Sequence, residues 1–133
     1  MEVKNEGFYL YCIFYRREDT PIHYKGIEGE NETFSISYSD ISALVSQIPL
    51  DEYSKEHLEK NLTDIEWVAP RVEIHERIIE HIMGFSPVIP IKFCTIFRSE
   101  KRIQETLEKH YDSLKSLLDY LADKEEWGIK VYV

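Results

Sequence analysis

Histidines and carboxylates cluster in one stretch of this 133-residue chain, in the combination that holds a metal ion in many enzymes. His75 and Glu76 are followed by Glu80 and His81. A zinc protease helix requires a second histidine four residues after the first, and Ile79 occupies that position. The spacing therefore predicts no metal site. We interpret His75 as a half-buried residue on the apolar face of a helix, with Glu76 in solvent.

The other residue types that take part in catalysis lack the neighbours that such chemistry needs. Adjacent carboxylates, the usual pair for general acid–base work, fall in predicted turns: Asp51 with Glu52, and Glu125 with Glu126. Gly26 and Gly29 lack the third glycine and the lysine of a phosphate-binding loop. Nothing orders serine, cysteine and histidine into a nucleophile elbow or a triad. We therefore predict that the protein is not an enzyme and binds no cofactor.

Charge and composition exclude several kinds of partner. The formal net charge is −9 at pH 7, from 25 acidic and 16 basic residues. Because nonspecific nucleic-acid binding depends on Lys and Arg at phosphates, neither nucleic acid nor an anionic membrane is expected as a partner. Tyr9, Tyr11 and Tyr15 are of the type that stacks on RNA bases, but this charge balance assigns them to the core. No apolar run approaches the ~20 residues of a membrane-spanning helix, and no basic secretory signal is evident.

The elements that position these residues follow from the apolar pattern. Residues 88–97 are rich in β-branched and aromatic side chains and lie between two helical patterns, which predicts a buried central strand. Pro87 and Pro90 limit pairing in the first half, so residues 91–97 should be the well-paired part. Residues 8–15 are apolar throughout and predict a second interior strand.

The remaining elements alternate with these strands. In chain order, we first predict an antiparallel hairpin within 22–48 and a short helix from Ser54 with Leu58 and Leu62 on its inner face. A second helix follows, with a Thr63–Glu66 capping box and Pro70. After the strand at 88–97 we predict a long amphipathic helix capped by Ser99 and a last strand at 127–133. This order predicts one α+β domain over residues 1–133. Its mostly antiparallel sheet would carry helices on one face, as a ferredoxin-like variant.

The two cysteines, Cys12 and Cys94, both fall in predicted strands. We expect two buried thiols, because no export signal is evident and disulfides persist mainly in oxidising compartments. A disulfide between neighbouring strands is the alternative.

Short motifs along nearly the whole chain form a recognisable set. They are Tyr9-Leu10-Tyr11, residues 45–50 followed by Glu52-Tyr53, Trp67 upstream of His75-Glu76, residues 88–97, and residues 126–131. Together and in this order they resemble the GvpL/GvpF family of gas vesicle proteins. The family usually has Arg-Phe-Gly-Thr where this chain has Lys92-Phe93-Cys94-Thr95. Its members are also longer, so the chain resembles their amino-terminal domain, and we expect the second domain to be absent.

The resemblance implies a role in gas vesicles, the protein-shelled flotation compartments of some prokaryotes. The implied protein is an accessory or minor structural component, in the cytoplasm or on the vesicle, that binds the small hydrophobic shell protein and other vesicle proteins during assembly. We take Lys92, Glu126 and Trp127 as candidate partner contacts, although lysine lacks the planar fork of arginine. The alternative is a ferredoxin-like regulatory module that binds a small ligand. A deep polar pocket would favour that alternative, and exposed edges would favour a protein partner.

Overall fold

The structure is a computed structural model that describes residues 6–17, 22–29 and 31–124. The elements are β1 (Glu6–Tyr15), β2 (Phe34–Tyr38), β3 (Ile41–Pro49), α1 (Lys55–Asn61), α2 (Ile65–Met83), β4 (Val88–Pro90), β5 (Ile96–Phe97), α3 (Glu100–Lys109) and α4 (Tyr111–Ala122). In these ranges the strands form one antiparallel sheet of five strands. The predicted α+β class is therefore confirmed. The predicted strand at 127–133, with Glu126 and Trp127, lies outside the described residues.

Strand β1 is the centre of the sheet, as its unbroken apolar sequence predicted. It pairs along its whole length with β3, from Glu6 opposite Pro49 to Tyr15 opposite Ile41. Its other edge pairs with β4 and β5, so the sheet order is β2-β3-β1-β4 with β5 also beside β1. A β-bulge between Leu10 and Cys12 interrupts the pairing with β3.

The helices cover both faces of the sheet, whereas the sequence analysis had placed them on one. Tyr9 and Tyr11 point into a core shared with α2, and Leu10 and Ile13 point into a second core shared with α3 and α4. Successive residues of a strand face opposite sides, so these cores lie on opposite faces. The physical reason for the second layer is that β1 is apolar on both faces and each face needs cover.

Residues 88–97 do not form the continuous central strand predicted for them. β4 ends at Pro90 and β5 begins at Ile96, with a loop between them. The buried part is the proline-containing half, contrary to the prediction that residues 91–97 would be the better paired. Cys94 in the loop has φ +65°, a left-handed conformation that a continuous strand does not contain. The apolar residues of this segment therefore lie partly in two short strands and partly in a loop that packs on the core.

Two helix boundaries also differ from the predicted ones. The cap of α2 is Asp64, whose side chain accepts a hydrogen bond from the Glu66 amide at 3.0 Å. Thr63 instead donates its hydroxyl to the Lys60 carbonyl at 2.7 Å, so the predicted capping box is wrong. The long carboxy-terminal helix begins at its predicted cap, Ser99, but breaks at His110 into α3 and α4.

No helix among the described residues is long and apolar enough to cross a membrane.

Candidate functional site

A buried chain of hydrogen bonds joins β1, α2 and the loop between β4 and β5. The Tyr9 oxygen accepts a hydrogen bond from the Cys94 amide at 3.0 Å and lies 2.8 Å from Nδ1 of His75. The Ile91 carbonyl beside Nε2 can only accept, so Nε2 carries a proton, and in that tautomer Nδ1 accepts the hydrogen bond from the Tyr9 hydroxyl. Nε2 lies 3.0 Å from the Ile91 carbonyl and donates to it. His75 thus serves as a buried core residue that holds the loop against the sheet.

Aromatic rings surround these hydrogen bonds and keep water away from them. The Phe93 ring lies edge-on to His75, with the ring centroids 5.8 Å apart, and Tyr9 and Tyr11 are 4.7 Å apart. Burial raises the pKa of Tyr9, and it raises the pKa of Tyr11 to about 12. Both phenols therefore keep their protons at neutral pH. Each hydroxyl has buried hydrogen-bond partners: Cys94 and His75 for Tyr9, and Ile27 and Ser46 for Tyr11.

Cys94 has a backbone conformation that glycine adopts more readily than other residues. Its φ of +65° lies in the left-handed region, where a side chain is disfavoured. Its thiol is partly buried and free, and burial raises its pKa to about 11. Cys12 is also free and fully buried. Of the two buried thiols predicted, Cys12 is confirmed, whereas Cys94 is only partly buried and lies in the loop and not in a strand.

A second polar cluster ties α2 to the segments before it. Arg71 donates from Nε to Glu28 Oε1 at 3.1 Å and from Nη1 to the Trp67 carbonyl at 2.9 Å. Its guanidinium carbon lies 4.1 Å from the centre of the Trp67 ring, and the Tyr53 hydroxyl donates to the same Glu28 carboxylate. This partly buried ion pair has a structural function, since its members mainly satisfy one another.

A third network closes α4 onto the sheet at the surface. Lys115 Nζ lies 3.0 Å from Asp119 and 3.3 Å from Asp40. Tyr15 donates its hydroxyl to Asp119 at 2.5 Å, and Tyr111 donates its hydroxyl to Asp40. These bonds lie in solvent and connect α4 to β1 and to the turn between β2 and β3.

Lys92 is exposed in the loop between β4 and β5, where the sequence analysis placed a partner contact. Its carbonyl accepts a hydrogen bond from the Thr95 hydroxyl at 2.8 Å. Within the described part of the chain its ammonium group forms no ion pair. The side chain is therefore accessible, and its role in binding stays a prediction.

An apolar strip lies on the outside of the α1–α2 junction. We call this set the α2 strip: Leu62, Ile65, Val68, Ala69 and Val72. Three- and four-residue spacing places the members within α2 on one helix face, and Leu62 precedes them at the end of α1. None of the five packs in either hydrophobic core. Ile65 is 73% exposed and Leu62 is 46% exposed.

The α2 strip was missed because the sequence analysis looked for one apolar face on this helix. Leu62 was placed on an inner face, and the exposure of its side chain shows that this was wrong. The core-facing residues of α2 are His75, Ile78, Ile79 and Ile82, all in its second half. The signal that was available is a second periodic apolar set in the first half of the helix.

The surface clefts bear on whether a small ligand could bind. A cleft of about 650 Å³ lies at the end of β1, between Tyr15, Arg17 and Phe85. Arg17 lies over the Phe85 ring at 4.7 Å, and Arg16 donates to the Ser39 carbonyl at 3.2 Å. Both arginines therefore contact groups of the protein itself, and this arrangement does not favour a small-ligand site. Among the described residues, no group of three or more His, Cys, Asp or Glu side chains is placed to hold a metal ion.

Known proteins resemble this chain in sequence and in fold. Residues 7–133 match the family described as gas vesicle synthesis protein GvpL/GvpF. The chain is 26% identical over 107 residues to gas vesicle protein L of Streptomyces sp. (strain CB03234), a match that covers 80% of the chain and 40% of that protein. It is 22% identical over 130 residues to gas vesicle protein F of Haloferax mediterranei, covering 96% of the chain and 55% of that protein.

The fold is similar to that in the crystal structure of GvpF from Anabaena sp. PCC7120, with a TM-score of 0.62 and 23% identity. That alignment covers 88% of this chain and 44% of the Anabaena chain. At this level of identity the likeness concerns the fold alone. The chain spans 40% and 55% of the length of the two curated relatives.

Proposed function

The chain belongs to the GvpL/GvpF family of gas vesicle synthesis proteins, and from this premise we propose that it works in gas vesicle assembly as a non-enzymatic binding component. The resemblance predicted from short motifs is confirmed by the match over residues 7–133. A gas vesicle-related role follows from the family. The proposal adds that this part of the protein binds the shell protein and other vesicle proteins, in the cytoplasm or at the vesicle surface.

The observation that carries the proposal is the α2 strip. Burying a side chain such as Ile65 or Leu62 against a partner contributes roughly 1.5–3 kcal/mol when the side chain is fully covered. The strip has the spacing with which one helix packs against another, and its members belong to neither core of the described residues. A small hydrophobic subunit is a partner of matching chemistry.

The polar networks support a binding role over a catalytic one. Tyr9, His75 and Arg71 are used to fix the loop and the helix, and each is committed to partners within the fold. The exposed features are an apolar strip, the Lys92 side chain and strand edges. Such features suit contact with another protein. Lys92, Glu126 and Trp127 remain candidate contacts within this proposal.

The proposal is tested by capture of the shell protein with a two-site variant of the full-length protein. Leu62→Asp with Ile65→Asp places charges in the α2 strip without touching either core, so folding should be retained. We expect capture to fall at least tenfold. The matched control is Tyr120→Asp, since Tyr120 is 58% exposed on α4 and lies outside the strip. Unchanged capture by the two-site variant, with its circular dichroism spectrum also unchanged, would overturn the proposal.

A further inference from the structure

Among the described residues, β5 is an edge strand of the sheet. This strand pairs with β1 on one side, with Ile96 opposite Tyr9 and Phe97 opposite Phe8. Within residues 6–17, 22–29 and 31–124 no strand pairs with its other side. An unpaired strand edge presents main-chain N–H and C=O groups that another chain can bind by adding a strand.

Two clefts flank this edge, one on each face of the sheet. On the α3 side a cleft of about 370 Å³ is lined by Ile96, Phe97, Arg98, Arg102, Glu105, Thr106 and Lys109. On the α1 side a cleft of about 410 Å³ includes Leu50, Lys55, Leu58, Ile96 and Arg98 in its lining. The clefts meet at Ile96 and Arg98. We call the combined feature the β5 groove.

The two faces of the groove suit the two faces of an added strand. Ile96 packs partly on the α2 core and Phe97 partly on the opposite core, and both remain partly exposed. Leu50 and Leu58 extend the apolar floor on the α1 side. Since alternate side chains of a strand point to opposite faces, a segment beside β5 would place its side chains in the two clefts in turn.

The groove is basic although the protein is acidic. Among the described residues, one carboxylate, Glu105, and four cationic side chains line it: Lys55, Arg98, Arg102 and Lys109. The whole chain has a net charge of −9. None of the four cations forms an ion pair with a described residue. These charges are therefore available to a partner of opposite sign.

We propose that the β5 groove binds an extended acidic segment of a partner protein, which adds to the sheet beside β5. Main-chain bonds to the edge would supply affinity, and carboxylates against the four cations would supply specificity. The chain's strongly negative total charge and the apolar floor favour a peptide over nucleic acid as the occupant. The inference rests on the proposed function only in requiring a protein partner, because the groove is separate from the α2 strip.

The first test measures binding of a fluorescein-labelled peptide of alternating valine and glutamate to the whole chain by fluorescence anisotropy. The peptide has on the order of six residues, the usual length of a strand. We expect saturable binding that weakens as salt is added, and no binding of the valine–lysine peptide. Arg98→Glu with Arg102→Glu should weaken binding at least tenfold. The matched control is Lys101→Glu, an exposed residue beside Arg102 on α3 that is not among the residues lining the groove.

The second test addresses strand addition itself. Two versions of the acidic peptide carry N-methyl groups on alternate residues, one version on each set. Only one set of N–H groups can face β5, so one version should bind like the parent and the other at least tenfold more weakly. The inference is overturned if the two N-methylated versions bind with equal affinity. It is also overturned if the control and groove variants lose peptide affinity equally, or if a labelled single-stranded DNA binds more tightly than the peptide. If the groove variant loses peptide binding and still captures the shell protein, the inference is supported and the proposed function stands. If the strip variant still captures the shell protein while the acidic peptide binds the groove as expected, only the proposed function is contradicted.

Discussion

Removing the hydroxyl of Tyr9 should destabilise the protein far more than removing the hydroxyl of Tyr15 on the same strand. The Tyr9 hydroxyl accepts from the Cys94 amide at 3.0 Å and donates to Nδ1 of His75 at 2.8 Å. In Tyr9→Phe the buried His75 ring and the partly buried Cys94 amide both lose their hydrogen bond. A buried polar group without a partner costs about 1–3 kcal/mol, so the two together should lower the free energy of unfolding by about 2–6 kcal/mol.

Tyr15→Phe is the matched control, because it deletes the same atom from the same residue type. The Tyr15 hydroxyl donates to Asp119 at 2.5 Å in a solvent-exposed position, where water replaces the lost bond. We expect its loss to be several times smaller than that of Tyr9→Phe. The assay is urea denaturation of both variants and the parent, followed by circular dichroism, with equal slopes required for the comparison.

Hydrogen exchange gives a second readout of the same reasoning. The Cys94 amide is protected by its bond to Tyr9 and should exchange faster in Tyr9→Phe, while remaining protected in Tyr15→Phe. If the two variants lose equal stability, or if Cys94 exchange is unchanged in Tyr9→Phe, the buried chain of hydrogen bonds does not hold the loop as described.

Three further predictions concern the loop and the surface network. Cys94→Gly should raise the free energy of unfolding by about 0.5–1 kcal/mol in urea melts, because glycine tolerates the left-handed φ, whereas Cys94→Ala should give no such gain. Alkylation of Cys94 should accelerate steadily with pH and level off only above its pKa of about 11; a plateau near pH 8 would contradict this. The pKa values of Asp40 and Asp119 are lowered, first by a hydrogen bond from a tyrosine hydroxyl and also by Lys115. Their stabilisation is therefore present above the unfolded pKa of about 3.9 and lost as the pH falls through the folded pKa. Lys115→Met should raise both pKa values in an NMR titration, and unchanged values would refute the network.

The two proposed surfaces would bind their partners through different forces. The α2 strip offers apolar area to a hydrophobic partner, and the β5 groove offers a strand edge with positive charge to an acidic one. Ionic strength separates them, because screening weakens charge attraction and leaves apolar burial intact. Binding through the groove should therefore be sensitive to salt, and binding through the strip should not.

Local sequence predicted several elements correctly because their signals are local. Residues 8–15 are apolar without alternation, and β1 is the interior strand they indicate. The alternating stretch before Tyr38 and the apolar stretch after Asp40 form the predicted hairpin. Ser99 caps α3 as predicted. The family was also recognisable, because its motifs are contiguous in sequence.

The two candidate surfaces could not be predicted from local sequence, because the exposure of a side chain depends on which other elements pack over it. Leu62 and Ile65 carry ordinary helix-face signals, and only the positions of the two cores show that they lie outside both. Arg98 and Lys55 are far apart in sequence and line one cleft because β5 is an edge strand that lies near α1.

The sequence by itself determined that residues 8–15 form a central strand with apolar side chains on both faces, since side-chain alternation along a strand is a property of the backbone. Only the tertiary structure decided that helices cover both faces of the sheet and how they are arranged. His75 meets Tyr9 across 66 positions of the chain, and Cys94 adopts its strained φ in the loop that these two residues hold. Contacts between distant residues, rather than local propensity, select which of the competing apolar segments becomes strand, loop or exposed surface.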